Sequence, residues 1–263
     1  MNSDIIELSY LQVLLGYVFV LFILFILKRR NISREKALII ATLRMTLQLL
    51  IVGFILVFLI ENAHPLLTLS VILIMISFAV YTVFDKFKGQ LSPSLKRAIM
   101  IALPSGGLIA LFYFMFVVIQ VTPYYNPQYF IPITGMIIGN SMTGISLGIH
   151  TMLNRFTNDK AEVEEALFLG ATPKDASETI INDAFDAAIM PTINNMLGMG
   201  IIFLPGMMTG QILSGVDPST AILYQIGIML GILGGVSLST YFFLRLGYKA
   251  FFNASDQLIN DNL

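Results

Sequence analysis

Residues 154–191 read NRFTNDKAEVEEALFLGATPKDASETIINDAFDAAIMP, and they form the longest stretch of the chain that is rich in charged side chains. Asn158 or Asp159 can cap a first short helix in this stretch. Gly170 can end that helix in a left-handed conformation, and Thr172 can cap a second helix. The pattern predicts a helix, a glycine turn and a second helix held outside a membrane, where a soluble partner can bind.

The remainder of the chain has the composition of a membrane protein. Of its 263 residues, 56% are hydrophobic and 12% are charged, whereas soluble domains carry about 25% charged residues. Segments of about 20 apolar residues are long enough to cross the hydrocarbon core. We therefore expect an all-α polytopic membrane protein whose seven spans cover residues 8–27, 37–60, 66–84, 98–121, 130–153, 192–213 and 222–244.

The basic residues predict the orientation of these spans. Fourteen of the fifteen Lys and Arg residues fall in four segments, at residues 28–36, 86–97, 154–191 and 245–249. These segments alternate along the chain with segments between the spans that contain no Lys or Arg, at residues 1–7, 61–65, 122–129 and 214–221. Cytoplasmic loops carry the excess of Lys and Arg in membrane proteins. We expect the N-terminus outside, the C-terminus inside, an uncleaved first span and a multi-pass location in the plasma (inner) membrane.

The fifteenth basic residue, Arg44, lies inside the second predicted span, with Gln48 one turn deeper on the same face. A charge at this depth is costly and is often functional. Two interpretations stand: Arg44 extends to the cytoplasmic headgroups, or it lies on an inner face and pairs with a carboxylate or an anionic lipid.

The fifth predicted span combines small and polar residues. Its sequence, PITGMIIGNSMTGISLGIHTM, places glycines four residues apart in two pairs and includes Asn140 and Ser141. Small residues at this spacing allow helix backbones to approach closely. The pattern is typical of a tightly packed central helix, which can at the same time form a wall of a polar translocation path.

The sixth predicted span carries polar residues and a helix breaker. Asn194 and Asn195 lie near its cytoplasmic end, and Pro205 is expected to kink or break the helix further out. Gln211 is a candidate polar contact near the outer side. Met207 and Met208 lie nearby. Their thioethers are weak candidates for a soft metal site, and methionine more often fills space in an apolar core.

Several chemistries are absent from the sequence. The chain has no cysteine, so it has no disulfide or thiolate metal site, and its net charge of −1 argues against a nucleic-acid partner. It contains no G-x-x-x-x-G-K-[ST] loop and no H-E-x-x-H motif. We expect no enzymatic activity in this chain.

The charged stretch is similar to a known coupling motif. Glu164, Glu165 and Ala166 followed by Gly170 resemble the E-A-A-x-x-x-G cytoplasmic loop of ABC-transporter permeases, with Glu165 in place of the usual alanine. Six segments together resemble the FetB-type permease family over nearly the whole chain. These are EEALFLGATPKDA (164–176), IMPTINNM (189–196), LPGMMTGQILSGVDP (204–218), YQIGIM (224–229), LRMTLQLL (43–50) and GMIIGNSM (135–142).

The resemblance implies a partner and an assembly. Members of this family are described as iron-export ABC permeases in bacteria, and plant relatives are linked to aluminium tolerance. It implies one transmembrane permease domain over residues 1–263, a homodimer, and a separately encoded ATPase that binds ATP and Mg. The coupling residues would then be Glu164, Glu165, Ala166, Leu167 and Gly170, with an apolar stripe of Val163, Ala166 and Leu167 in a groove of the ATPase.

The predicted function is therefore that of the permease subunit of an ATP-driven exporter of metal ions, iron first. The second, fifth and sixth spans are expected to supply the path. The substrate can instead be a metal complex or an organic solute such as a nucleotide sugar. Two other classes stay open: a membrane scaffold or receptor that uses residues 154–191, and an ion-coupled secondary transporter, which the lack of Asp and Glu in the span cores disfavours.

Overall fold

A computed structural model describes residues 9–259, which are almost entirely helical. The helices are α1 (Tyr10–Gly16), α2 (Val18–Arg29), α3 (Glu35–Glu61), α4 (Pro65–Lys86), α5 (Pro93–Tyr113), α6 (Pro127–Asn158), α7 (Lys160–Phe168), α8 (Pro173–Ala176), α9 (Glu178–Gly198), α10 (Gly206–Leu213) and α11 (Pro218–Gly247). A π-helical segment, Phe114–Ile119, continues α5, and a 3-10 segment, Tyr248–Phe251, continues α11.

Six helical segments of the described chain are long and apolar enough to cross a membrane. They are Tyr10–Arg29, Glu35–Glu61, Pro65–Lys86, Pro93–Ile119, Pro127–Asn158 and Pro218–Phe251. This all-helical, multi-span structure agrees with the fold class expected from the sequence.

The sixth predicted span, residues 192–213, is not one continuous helix. It consists of the end of α9, a non-helical connection over residues 199–205, and α10. The break begins at Gly198, before the expected position at Pro205. Gly200 adopts a positive φ of 84°, a conformation that glycine reaches without steric cost, and Pro205 cannot donate a backbone hydrogen bond.

Helix α11 lies in the centre of the bundle, antiparallel to α5. A Cβ added to Gly106 of α5 would come within 2.6 Å of the Ser239 hydroxyl, and a Cβ on Gly247 would lie 3.5 Å from Leu95. Later residues of α5 therefore meet earlier residues of α11. Small residues at these contacts bring the helix axes close together.

Helix α11 runs parallel to α6. A Cβ on Gly235 would lie 3.1 Å from the Ser141 hydroxyl, and a Cβ on Gly148 would lie 3.7 Å from the Thr240 methyl group. Residue numbers along α6 and α11 therefore increase in the same direction. Since α6 and α11 point the same way, α11 begins at the end of the bundle where α6 begins.

Helix α9 packs against α6 in the antiparallel direction. Cβ atoms on Gly144 and Gly148 would lie 3.2 Å and 3.5 Å from the carbonyl oxygens of Ala188 and Ala184. The last part of residues 154–191, the stretch expected in the cytoplasm, is therefore a packed helix of the bundle. The small residues of α9 place that part within the bundle, beside the glycines of α6.

The first three helices contribute little to this core. Among the residues of α1 to α3, only Leu59 is buried. The Tyr17 and Thr46 hydroxyls form a hydrogen bond between α2 and α3. The large apolar side chains of these helices face outward, as expected for surfaces in contact with lipid or with another copy of the chain.

Candidate functional site

The turn between α7 and α8 lies at the end of the bundle where α6 ends. Two backbone hydrogen bonds define its conformation. The Gly170 amide donates to the Leu167 carbonyl and the Ala171 amide donates to the Ala166 carbonyl, both at 3.0 Å. Gly170 has a φ of 93°. This is a Schellman ending, and it confirms the predicted role of Gly170 as the stop of the first helix.

The two predicted helix starts have different outcomes. The Thr172 hydroxyl accepts from the Asp175 amide at 3.3 Å and donates to the Asp175 carboxylate at 2.6 Å, so the cap of α8 is confirmed. Asp159 precedes α7 without a side-chain cap. Its carboxylate instead pairs with Arg155 one turn earlier, at 2.9 Å.

The apolar residues of α7 divide between two faces. Val163 is 2% exposed, and Leu167 packs against the core of the bundle. The expected apolar stripe therefore points into the chain's own interior, with Ala166 half-buried beside it. Phe168 and Leu169 are 90% and 83% exposed, and we call this pair the docking tip.

The acidic residues of the coupling motif lie at different exposures. Glu164 is half-buried and pairs with Lys160 at 3.8 Å, one turn away along α7. Glu165 is exposed, on the same side of the turn as the docking tip. Of the predicted coupling residues, Glu165 and Gly170 are therefore fully accessible to a partner, while Leu167 serves to hold the helix in place.

Arg44 and Gln48 line a cleft of about 370 Å³ among α3, α4 and α6. The Arg44 guanidinium lies 4.9 Å from the centre of the Phe78 ring, a geometry that stabilises a cation. Thr82 and Met142 complete the cleft. Within residues 9–259 Arg44 has no carboxylate partner.

The polar residues of α6 do not face this cleft as a group. The Asn140 amide donates to the Met136 carbonyl of its own helix at 2.7 Å. Ser141 is fully buried against Gly235 of α11, and its hydroxyl has no hydrogen-bond partner among the described residues. Ser141 therefore belongs to a helix contact in this state.

The polar residues of α9, the connection 199–205 and α10 form a second group. Asn194 and Asn195 are exposed near the end of α9. Pro205 immediately precedes α10, and the Gln211 side-chain oxygen is buried without a hydrogen-bond partner in the described part of the chain. The predicted path residues thus occupy three places in the described chain.

No metal centre emerges from the described residues. Across residues 9–259, no group of three or more His, Asp or Glu side chains is placed to hold a metal ion. Met207 and Met208 are consecutive in α10, half-buried and 8% exposed respectively. Consecutive positions on a helix point in different directions, so the pair stays a weak candidate for a metal site.

Three features escaped prediction from the sequence. One is the docking tip, and another is the ion pair of 2.9 Å that joins Arg155 of α6 to Asp183 of α9. The spacing of Arg155 and Asp159, four residues apart on a helix, was the only local signal for that junction. The third is a basic cleft between α9 and α11, which is described below.

Comparison with known proteins places this architecture in a family. The model of a family described as "Uncharacterised protein family (UPF0014)" matches residues 10–252. The chain belongs to the UPF0014 family. Its members include the FetB-type proteins, so the resemblance drawn from the six sequence segments is confirmed.

Curated relatives of this UPF0014 chain come from bacteria and plants. The UPF0014 membrane protein YjkA of Bacillus subtilis is 33% identical, with 95% of this chain and 98% of that protein covered. The "Probable iron export permease protein FetB" of Escherichia coli is 32% identical, with 93% of each covered. The protein ALUMINUM SENSITIVE 3 of Arabidopsis thaliana is 31% identical, with 87% of this chain and 82% of that protein covered. No solved structure matches the chain. With its apolar helices, this family membership identifies a multi-pass membrane protein.

Proposed function

We propose that this UPF0014 protein is the permease subunit of an ATP-driven ABC transporter that exports metal ions, iron first. The observation that carries the proposal is the docking tip. Phe168 is the last residue of α7 and Leu169 follows it; both are highly exposed, and Val163 anchors the helix from the opposite face. An apolar pair held rigidly in water is a suitable contact for the groove of a soluble ATPase.

The proposed membrane topology has seven crossings. Because α6 and α11 are parallel, the chain between them returns from the end of α6 to the opposite side of the bundle. Helix α9, the connection 199–205 and α10 would make that return as a broken crossing. The positions of Lys and Arg then favour an external N-terminus and a cytoplasmic C-terminus in the inner membrane.

The broken crossing supports a transport role. Non-helical backbone at membrane depth is tolerated where protein buries it or where it lines a water-filled cavity. The connection 199–205 is non-helical, and the side-chain oxygen of Gln211 in the following helix has no hydrogen-bond partner within residues 9–259. We assign the substrate path to this region together with Asn194 and Asn195, and we place Arg44 and Gln48 at a lateral entrance.

The docking element can transmit movement to this path. Helix α7 follows α6 directly, and Arg155 ties the end of α6 to α9 through Asp183. A displacement of the docking tip by a closing ATPase would therefore move α9 relative to α6. The partner would supply ATP and Mg, and two copies of this chain would assemble with it.

The substrate class rests on the printed name of the Escherichia coli relative. A transporter of metal ions, of a metal complex or of an organic solute such as a nucleotide sugar would have the same docking element, so this element does not identify the substrate. Stimulation of ATP hydrolysis by the substrate distinguishes them. A scaffold that binds a partner other than an ATPase is excluded if such stimulation occurs.

The deciding experiment measures ATP hydrolysis by the complex of this chain with its ATPase, in lipid, with and without Fe(II), other metal ions and nucleotide sugars. Gly170→Leu should leave the chain in the membrane and abolish stimulation, because a left-handed residue with a side chain costs about 1–2 kcal/mol and disturbs the helix ending. Gly89→Leu is the matched control, since Gly89 also has a positive φ, of 85°, and open surroundings. Normal stimulation in Gly170→Leu would refute the coupling role, and a complex that ignores every metal would refute the iron assignment.

A further inference from the structure

A basic cleft of about 630 Å³ lies between the start of α9 and the end of α11. Its cationic lining consists of Lys174, Arg245 and Lys249, all three exposed. The cleft is distinct from the docking tip, the lateral cleft at Arg44 and the broken crossing.

The charges of this cleft are uncompensated within residues 9–259. None of the three basic residues forms an ion pair with a carboxylate of the described chain. Glu178 and Asp186 lie one turn on either side of Asn182, which lines the cleft from α9, yet neither comes within pairing distance of a cleft cation. Three cations brought together around a cavity attract an anion.

The walls of the cleft are amphipathic. Tyr241 and Tyr248 lie beside the basic residues, and the Arg245 guanidinium donates to the Tyr241 hydroxyl at 3.5 Å. Ile181 and Phe185 supply an apolar wall from α9. Tyrosine is enriched where a membrane meets water, because one end of its side chain is apolar and the other polar.

One face of α11 is exposed at two places along the helix. Leu223, Ile226 and Leu230 are 70%, 53% and 57% exposed. Tyr241 lies eleven residues beyond Leu230, or about three helical turns, so it returns to the same face. Tyr241 is 50% exposed and Arg245 follows one turn later, so this face of α11 is exposed again beside the basic cleft, after residues 231–240, which are buried or half-buried.

We propose that this basic cleft binds the phosphate headgroup of an anionic phospholipid from the cytoplasmic leaflet. The phosphate would lie among Lys174, Arg245 and Lys249, and an acyl chain would follow the apolar wall formed by Ile181 and Phe185. Basic pockets at the cytoplasmic ends of transmembrane helices bind anionic headgroups in this way. The choice of leaflet rests on the orientation given under the proposed function; the binding chemistry does not.

The bound lipid would connect two parts of the protein. Lys174 belongs to α8, immediately after the docking turn, whereas Arg245 and Lys249 belong to the end of the central helix. A headgroup that bridges them would hold α8 near α11. The lipid would therefore favour one position of the docking element.

Lipid retention by the full chain tests this inference without any transport measurement. The purified protein in detergent is mixed with dioleoyl phosphatidylglycerol or dioleoyl phosphatidylcholine, and bound lipid is counted by native mass spectrometry. We expect preferential retention of phosphatidylglycerol. Each cleft cation replaced by glutamine should weaken retention about fivefold, as measured in Lys174→Gln, Arg245→Gln, Lys249→Gln and the triple variant.

The control replaces three basic residues elsewhere on the same side, Lys86, Lys88 and Lys96, with glutamine. It should retain phosphatidylglycerol like the unmodified chain. If the triple cleft variant fails to fold, single Lys249→Gln and the shift of the thermal midpoint by each lipid give the same comparison. Equal retention by the cleft variants, or equal binding of the two lipids, would overturn the proposal. Displacement of phosphatidylglycerol by millimolar inorganic phosphate would overturn the lipid assignment in favour of a soluble anion.

Discussion

Arg155 and Asp183 join the end of α6 to the second turn of α9 through an ion pair of 2.9 Å, and Arg155 also holds Asp159 at 2.9 Å. One guanidinium therefore links three segments: the long helix α6, the residue before the docking helix, and α9, the first half of the proposed broken crossing. The planar group of arginine, with its several donors, suits such a junction. This is the most direct connection between the docking tip and the proposed path.

The first prediction concerns this junction. Arg155→Gln and Asp183→Asn should lower the free energy of unfolding by about 1 kcal/mol at most, because the paired groups are partly exposed. Both should nevertheless reduce the substrate-stimulated ATP hydrolysis of the complex, since the docking helix would no longer be tied to α9. Asp186→Asn, a change three residues further along α9 at an exposed carboxylate, is the control. Stimulation that survives in both junction variants would show that the movement travels by another route.

The docking tip gives a second prediction. Phe168→Ser combined with Leu169→Ser should weaken binding of the ATPase by about 100-fold or more, because each apolar side chain contributes about 1.5–3 kcal/mol when it becomes buried. The isolated permease should keep its thermal midpoint, since both side chains are exposed. Co-purification and titration of the ATPase provide the measurement.

The conservative variant Phe168→Leu is the control for that change, because it keeps an apolar side chain at the tip. It should retain most of the binding. Unchanged affinity in the double serine variant would show that the docking tip is not part of the interface. The exposed carboxylate of Glu165 would then be the next candidate contact.

Local signals in the sequence predicted the turn chemistry and the positions of most spans. The Thr172 cap and the Gly170 stop depend on residues within one turn of each other, so they could be identified without the tertiary structure. The predicted cap at Asp159 failed because Arg155, four residues earlier, binds the carboxylate instead. Competing local partners of this kind cannot be ranked from the sequence alone.

The faces of α7 and the depth of α9 depend on contacts between distant residues. Val163 and Phe168 are both large and apolar, and only the packing of α7 against the bundle decides that Val163 is buried and Phe168 exposed. Ala184 and Ala188 carry little hydrophobic signal, yet they fit against the glycines of α6. Part of the charged stretch lies inside the bundle because these alanines fit against α6. The sequence of either helix alone does not reveal this contact.

The contact between α5 and α11 gives a third prediction, about stability. A Cβ on Gly106 would come within 2.6 Å of the Ser239 hydroxyl and within 2.3 Å of its backbone nitrogen, so the helices would have to separate. Gly106→Ala should lower the free energy of unfolding by about 1–3 kcal/mol, the usual cost of overpacking. Thermal unfolding in a mild detergent measures the change.

Gly53→Ala is the matched control, because no atom lies within 4 Å of the added methyl group and the residue is also within a spanning helix. Alanine forms helices better than glycine, so this control should be neutral or slightly stabilising. A Gly106→Ala protein as stable as the control would mean that α5 and α11 are further apart than described.

The last prediction tests the broken crossing itself, and the absence of cysteine from the chain makes it direct. Single cysteines replace Gln90 between α4 and α5, Tyr124 between α5 and α6, and Ser214 between α10 and α11. A membrane-impermeant thiol reagent added to intact cells should label positions 124 and 214, and position 90 should react only after the cells are opened. If position 214 shares the protection of position 90, α9 and α10 do not cross the membrane and the parallel arrangement of α6 and α11 is wrong. If position 124 is protected and position 90 is labelled, the helices are arranged as described but inverted, and the docking tip would then face away from any cytoplasmic ATPase.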